Sequence, residues 1–187
     1  VTLTHMENNG YLRTIVTRGD HILGGKDWDA RILEMLKTQI QEDTGIDPEE
    51  NREFSKELMG LAEGIKKKLT ATDRVSMNVN VPEYGSCTVT VTREEFDENT
   101  ADLLDKTGNL CNMVLKEAGM EWSDVTDILL VGGSTKMKQV PVYLERISKG
   151  HKPLSQVNPD EAVALGAAIQ SSKKNEEYAT LSVQVID

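Results

Sequence analysis

The chain has 187 residues, 38% hydrophobic and 28% charged, which is enough for one or two small domains with a buried core. Its formal net charge of -10 makes nucleic acid and anionic membrane surfaces unfavourable partners. No apolar run approaches the roughly 20 residues that span a bilayer, and residues 1–4 resemble no secretion signal.

The first half of the sequence predicts a hairpin, two helices and a second hairpin. Residues 1–18 alternate around an Asn-Gly turn at 8–10, and a glycine pair then breaks the chain. Apolar residues at helical spacing in 27–43 predict the first helix. A second helix is predicted to end near Leu69, and Asp47, Pro48 and Glu50 suggest a capping box at its start. Alternating residues in 75–81 and 87–91 predict strands joined by a turn at 82–85.

The second half predicts helices around one short strand. A capping box at 92–95 opens a single long helix that ends at Gly119. The segment 127–131 is apolar from Ile128 onward, as in a strand buried on both faces, and a glycine turn and a helix through Ile147 follow. A last helix starts near Asn158, and 181–186 is a strand or linker. The pattern indicates an α/β fold with an inserted subdomain.

Cysteines and histidines offer no metal site in this sequence. Cys87 falls in an alternating strand and Cys111 on an apolar helix face, so both are predicted to be small buried hydrophobes. The three histidines have no metal-ligand spacing. Unpaired cysteines agree with a reducing cytoplasm.

The glycine turn is the strongest chemical signal. In Gly132, Gly133, Ser134, Thr135 and Lys136 a strand enters a tight turn and then a helix, which suits the approach of a phosphate or nucleotide. A plain β-α turn that needs glycine for its backbone angles explains the same residues equally well.

A second candidate is one face of a helix. Glu63, Lys66, Lys67 and Thr70 lie on the face opposite the apolar stripe. A carboxylate and an ammonium there suit ribose hydroxyls, and a cation suits the face of a purine. Taken alone, a solvated face with a Glu63–Lys67 ion pair is the favoured interpretation.

Two further segments have ordinary structural explanations. Residues 158–162 contain helix-capping residues, which accounts for Asp160 without any ligand. Residues 24–27 suit either a phosphate-facing turn or a hinge between subdomains, and the change in composition favours the hinge.

Four ordered motifs resemble the seventy-kilodalton heat-shock chaperones, whose bacterial type is DnaK. They are GDHILGGKDWD at 19–29, AEGIKKKLT at 62–70, DILLVGGSTK at 127–136 and NPDEAVALGAAIQ at 158–170. The resemblance implies an actin-like (ribonuclease H-like) ATPase lobe, the second of two. Residues 1–24 plus 100–187 would form the inner subdomain, and residues 25–99 the inserted α+β outer one.

The same resemblance implies the site. Glu63 and Lys66 would meet the ribose of ATP or ADP, and Lys67 and Lys136 would flank the adenine. Thr70 and Asp160 would complete the pocket, while Gly132, Gly133, Ser134 and Thr135 would approach the sugar and phosphates. Many members of the family have arginine where Lys67 and Lys136 stand, and an ammonium stacks less well on a base. The position of Lys138 is often proline, so we expect a shifted start of the next helix.

The resemblance also limits what this segment is expected to do. The chain starts in mid-strand, and the family's catalytic lysine and both phosphate loops, with the aspartates that hold Mg²⁺, lie outside it. Phosphoryl transfer depends on such positioning, so we expect no hydrolysis by this chain alone. Implied partners are the first lobe, a peptide-binding domain, nucleotide-exchange factors and J-domain co-chaperones. A sugar kinase of the same superfamily and a non-enzymatic interaction module are the alternatives.

Overall fold

The computed structural model describes residues 1–7, 12–154, 158 and 160–174, which form a mixed α/β structure with two small sheets. The elements in chain order are β1 (Thr2–Met6), β2 (Leu12–Thr17), α1 (Gly25–Thr44), α2 (Arg52–Leu69), β3 (Arg74–Val81), β4 (Gly85–Thr92), α3 (Arg93–Asn99), α4 (Ala101–Ala118), α5 (Gln139–Ile147) and α6 (Ala162–Lys174). Within these residues, no helix is both long and apolar enough to cross a bilayer.

The first hairpin is confirmed in its strands. β1 and β2 pair antiparallel, with Leu3 opposite Val16, and these two side chains are half-buried while most of their neighbours are exposed. The hairpin contacts α4, where Arg18 and Glu117 form an ion pair at 2.6 Å. The predicted turn at 8–10 lies outside the described residues.

Most of the core lies between α1, α2 and the second hairpin. The apolar stripes predicted for both helices are confirmed, because Ile32, Leu36 and Leu58 are completely buried. β3 and β4 pair antiparallel in full register and place Val79 opposite Cys87, both buried. The two helices therefore cover one face of this sheet.

The predicted start of α2 is wrong by a few residues. Asp47 accepts a hydrogen bond from the Glu49 amide, but it caps only a short 3-10 turn, Pro48–Glu50. The helix itself begins after Asn51, whose side chain accepts from the amides of Glu53 and Phe54 at 3.1 Å each. Two acceptable caps follow each other here, and the second one starts the helix.

The single long helix predicted from 92 to 119 is also wrong, because it is two helices. The capping box of α3 is confirmed, since Glu95 accepts from the Thr92 amide at 2.9 Å. At Thr100 the backbone leaves helical geometry, with φ -120° and ψ 7°. Its hydroxyl donates to the Phe96 carbonyl at 2.7 Å, and the Gln139 amide donates to the hydroxyl at 3.0 Å. This buried polar contact with α5 explains the break.

The buried strand predicted at 127–131 is not found. In the described part of the chain this segment makes one isolated parallel bridge, from Leu129 to Leu154, and Leu129 is 53% exposed. A strand needs a ladder on at least one side, and a single bridge does not supply one. The segment predicted at 181–186 lies outside the described residues.

The predicted state of both cysteines is confirmed. Cys87 and Cys111 are buried free thiols. Burial raises the pKa of each thiol, which keeps them protonated and unreactive near neutral pH.

Candidate functional site

The glycine turn has the local geometry that the sequence predicts. Gly132 has φ 88° and ψ 155°, a conformation that favours glycine, and Gly133–Lys136 form a short 3-10 turn. The Thr135 hydroxyl donates to the Gly132 carbonyl at 2.7 Å and fixes this turn. α5 begins at Gln139, directly after Lys138, and a shift of its start relative to other family members stays a prediction.

Three segments meet at Gly25, the first residue of α1. A Cβ atom added there would lie 3.0 Å from Ser134 Oγ of the glycine turn and 3.2 Å from Lys66 Nζ of α2. These distances are tight, so a side chain at position 25 would have to displace the ends of these two side chains by a few tenths of an ångström. Glycine at position 25 allows this close approach, in addition to any role as a hinge.

Lys66 is the centre of this meeting point. Its Nζ atom donates to the Gly25 carbonyl at 2.8 Å and forms an ion pair with Asp29 Oδ1, also at 2.8 Å. The side chains of Lys66 and Asp29 are only 13% and 14% exposed. The ion pair is therefore largely shielded from solvent, and it joins α2 to α1.

The other predicted residues of α2 are more exposed and bonded within their own helix. Lys67 Nζ lies 2.7 Å from Glu63 Oε1. The hydrogen bond from Lys67 lowers the pKa of Glu63, and the same bond raises the pKa of Lys67. The Thr70 hydroxyl donates back to the Lys67 carbonyl at 2.7 Å. The ion pair expected of a solvated face is thus present, and it leaves a carboxylate and an ammonium accessible.

The start of α6 reaches the glycine turn through Asp160. Lys136 and Asp160 form an ion pair, and a Cβ at Gly133 would lie 3.6 Å from Asp160 Oδ1. Asn158 caps this segment, since its side chain accepts from the Asp160 amide at 3.2 Å. The segment that leads into α6 therefore has the expected capping hydrogen bond, and Asp160 also lies beside the glycine turn.

Two surface depressions differ in their relation to these residues. A cleft of about 10 Å³, the size of one water, is lined by Lys66, Thr70, Met137 and Lys138 among others. A larger open groove of about 340 Å³ lies near the start of α2, between Arg52 and Met59, and none of the predicted site residues lines it. The smaller cleft is the better candidate for a binding site, because two predicted site residues, Lys66 and Thr70, line it together with residues from other segments. The larger groove has more volume, but it contains none of the predicted site residues.

The structure therefore gathers Lys66, Ser134 and Gly25 in one cluster, and Gly133, Lys136 and Asp160 in a second beside it. Glu63, Lys67 and Thr70 follow along α2. Sequence reasoning missed Asp29, because its contact with Lys66 depends on how α1 and α2 pack against each other. Among the described residues, no group of three or more histidines, cysteines and carboxylates could hold a metal ion.

Comparison with known proteins gives one consistent result. The family model described as Hsp70 protein matches residues 1–186. Two proteins named chaperone protein DnaK, from two strains of Halobacterium salinarum, are each 39% identical to the chain over 159 residues. The aligned part covers 82% of this chain and 25% of each relative, so the chain spans about a quarter of their length.

Proposed function

The chain belongs to the Hsp70 protein family, and on that premise we propose that it supplies the adenosine side of an ATP or ADP site in a chaperone ATPase domain. In this proposal Glu63 and Lys66 bind the ribose hydroxyls. Lys67 and Lys136 flank the adenine, with Thr70 and Asp160 beside it. The glycine turn at 132–135 faces the sugar and the phosphates, where its backbone amides suit an anion.

One observation carries the proposal. Motifs far apart in the sequence converge on Gly25, where Ser134 Oγ and Lys66 Nζ lie 3.0 and 3.2 Å from the position that a Cβ atom would take. An ordinary β-α turn and an ordinary solvated helix face give no reason for these segments to meet. A nucleotide site gives one, because ribose and phosphate recognition needs groups from several elements at one place.

The distribution of buried core residues supports the proposed division into two subdomains. Residues 25–99 form an outer subdomain inserted into an inner one made of 1–24 and 100–187, together one lobe of an actin-like ATPase. Most buried core residues come from the outer stretch, and Leu103, Leu104 and Met137 join it from the inner one. We assign the parent protein to the cytoplasm.

In the parent protein, the missing machinery would come from elsewhere. A first lobe would provide the remaining phosphate contacts and Mg²⁺, and closure of the two lobes on ATP would control a peptide-binding domain. Nucleotide-exchange factors and J-domain co-chaperones would be its regulators. A sugar kinase and a pure interaction module are weaker alternatives, because neither explains all four motifs.

The test is the affinity of the full-length protein for ADP after Glu63→Ala and Lys66→Ala are combined. Loss of hydrogen bonds to charged groups is expected to weaken binding by at least about tenfold. Glu34→Ala combined with Lys37→Ala is the matched control, because it removes another ion pair, at 2.9 Å on α1, whose lysine is 15% exposed. Unchanged affinity in the first variant would contradict the proposal.

A further inference from the structure

Asp29 and Lys66 depend on each other in a way that their neighbours do not. Asp29 Oδ1 is buried, and among the described residues it has no hydrogen-bond partner of good geometry, while the Lys66 ammonium lies 2.8 Å away. Lys67, one position away in the sequence, and Glu63, three positions away, are 71% and 53% exposed. Water can compensate the exposed pair, but it reaches the Asp29 carboxylate poorly.

The contacts of the Lys66 ammonium leave it able to donate a further hydrogen bond. An ammonium has three N–H donors, and here one donates to the Gly25 carbonyl, while the Asp29 carboxylate holds the ammonium by charge at 2.8 Å. No further acceptor for Lys66 Nζ lies in the described part of the chain. A lysine ammonium on its flexible four-carbon stem normally samples many positions, but contacts on two sides fix where the third N–H points.

We propose that Asp29 is a positioning residue for ribose recognition, holding Lys66 so that its remaining N–H is presented to a ribose hydroxyl. This inference rests on the proposed function. Asp29 itself does not touch the nucleotide, and it acts only through Lys66. Without its carboxylate, Lys66 keeps its charge but loses its fixed position. The loss of affinity is therefore confined to ligands that carry ribose hydroxyls.

The experiment compares ADP with 2′,3′-dideoxy-ADP by calorimetric titration of the full-length protein. The variants are Asp29→Asn, Lys66→Met and their combination. Asp29→Asn is expected to weaken ADP binding by about tenfold, the loss of one positioned charge-assisted hydrogen bond, and to change dideoxy-ADP binding by less than about twofold. In the Lys66→Met background, Asp29→Asn is expected to have no further effect.

Asp102→Asn is the matched control, because Asp102 forms an ion pair at 2.6 Å with Arg31 in which both side chains are more than 40% exposed. It should leave both affinities unchanged. If Asp29→Asn does not fold, Asp29→Glu, which moves the carboxylate, replaces it: a loss of affinity for ADP but not for dideoxy-ADP supports the inference, and an unchanged ADP affinity overturns it.

The outcomes separate this inference from the function on which it rests. Equal weakening of both ligands by Asp29→Asn would show a merely structural role and overturn the inference. So would an unchanged ADP affinity in a protein that Lys66→Met does weaken, and the proposed function would then stand. A wild-type protein that binds neither nucleotide overturns both.

Discussion

Two regions of the molecule treat their apolar residues differently. We define the packed unit as α1, α2, β3, β4 and α3, where Ile32 and Leu36 are completely buried. In the segment at 127–131 and in α6, Leu129 and Val163 are 53% and 71% exposed. Both regions have apolar patterns in the sequence. The pattern shows which side of an element is apolar, and only a facing element decides whether that side is buried.

The largest expected effect tests the core of the packed unit. Leu36→Ala removes a completely buried side chain and is expected to lower the free energy of unfolding by about 2–5 kcal/mol. Leu129→Ala, the same substitution at a 53% exposed position, should change it by less than about 0.5 kcal/mol. Urea unfolding of both variants gives the comparison, and similar losses would show that the two regions do not differ.

The next largest expected effect is a loss of stability when the packing of α4 against α5 is disturbed. A Cβ at Gly108 would lie 2.2 Å from the Tyr143 hydroxyl oxygen and 2.8 Å from its ring. Gly108→Ala should therefore destabilise the chain by about 1–2 kcal/mol, despite the higher helix propensity of alanine. Gly60→Ala, also within a helix but with nothing near its Cβ, should stabilise it by about 0.5–1 kcal/mol. Thermal unfolding measures both, and a stabilised Gly108→Ala variant would refute the packing argument.

The smallest effect concerns pH at the same contact. Burial, together with the hydrogen bond to Asp105, raises the pKa of Tyr143 to about 12. A raised pKa in the folded state stabilises the protonated phenol, so this contribution is complete below pH 10 and is lost as pH rises towards 12. Stability should therefore fall more steeply above pH 10 in wild type than in Tyr143→Phe. Parallel pH profiles of unfolding would contradict the assignment.

The sequence predicts local structure in this chain well where signals are local. Thr92 and Glu95 form the capping box that their spacing indicates, and Cys87 is buried as its alternating strand requires. The prediction fails where a residue distant in the sequence determines the local structure. The break at Thr100 depends on a hydrogen bond from Gln139, which no helical periodicity can reveal. The segment at 127–131 has an apolar composition, but among the described residues it makes only the isolated bridge to Leu154.

The candidate site is also predicted only where its contacts are local in the sequence. Helical spacing predicts that Glu63, Lys66 and Lys67 share a face, and the Glu63–Lys67 pair is there. The sequence does not reveal that Lys66 instead contacts Asp29 of another helix, because that contact depends on how α1 and α2 cross. Two lysines adjacent in sequence thus have opposite surroundings, one shielded and held by a tertiary ion pair, the other exposed.

We propose that the face formed by α2 and the glycine turn binds the adenosine of a nucleotide. A crystal structure of the full-length protein with ADP would test this. We expect the ribose hydroxyls to lie within hydrogen-bond distance of Glu63 and Lys66, while Lys66 keeps its contact with Asp29. Nucleotide bound at another surface, or a ribose out of reach of Lys66, would contradict it.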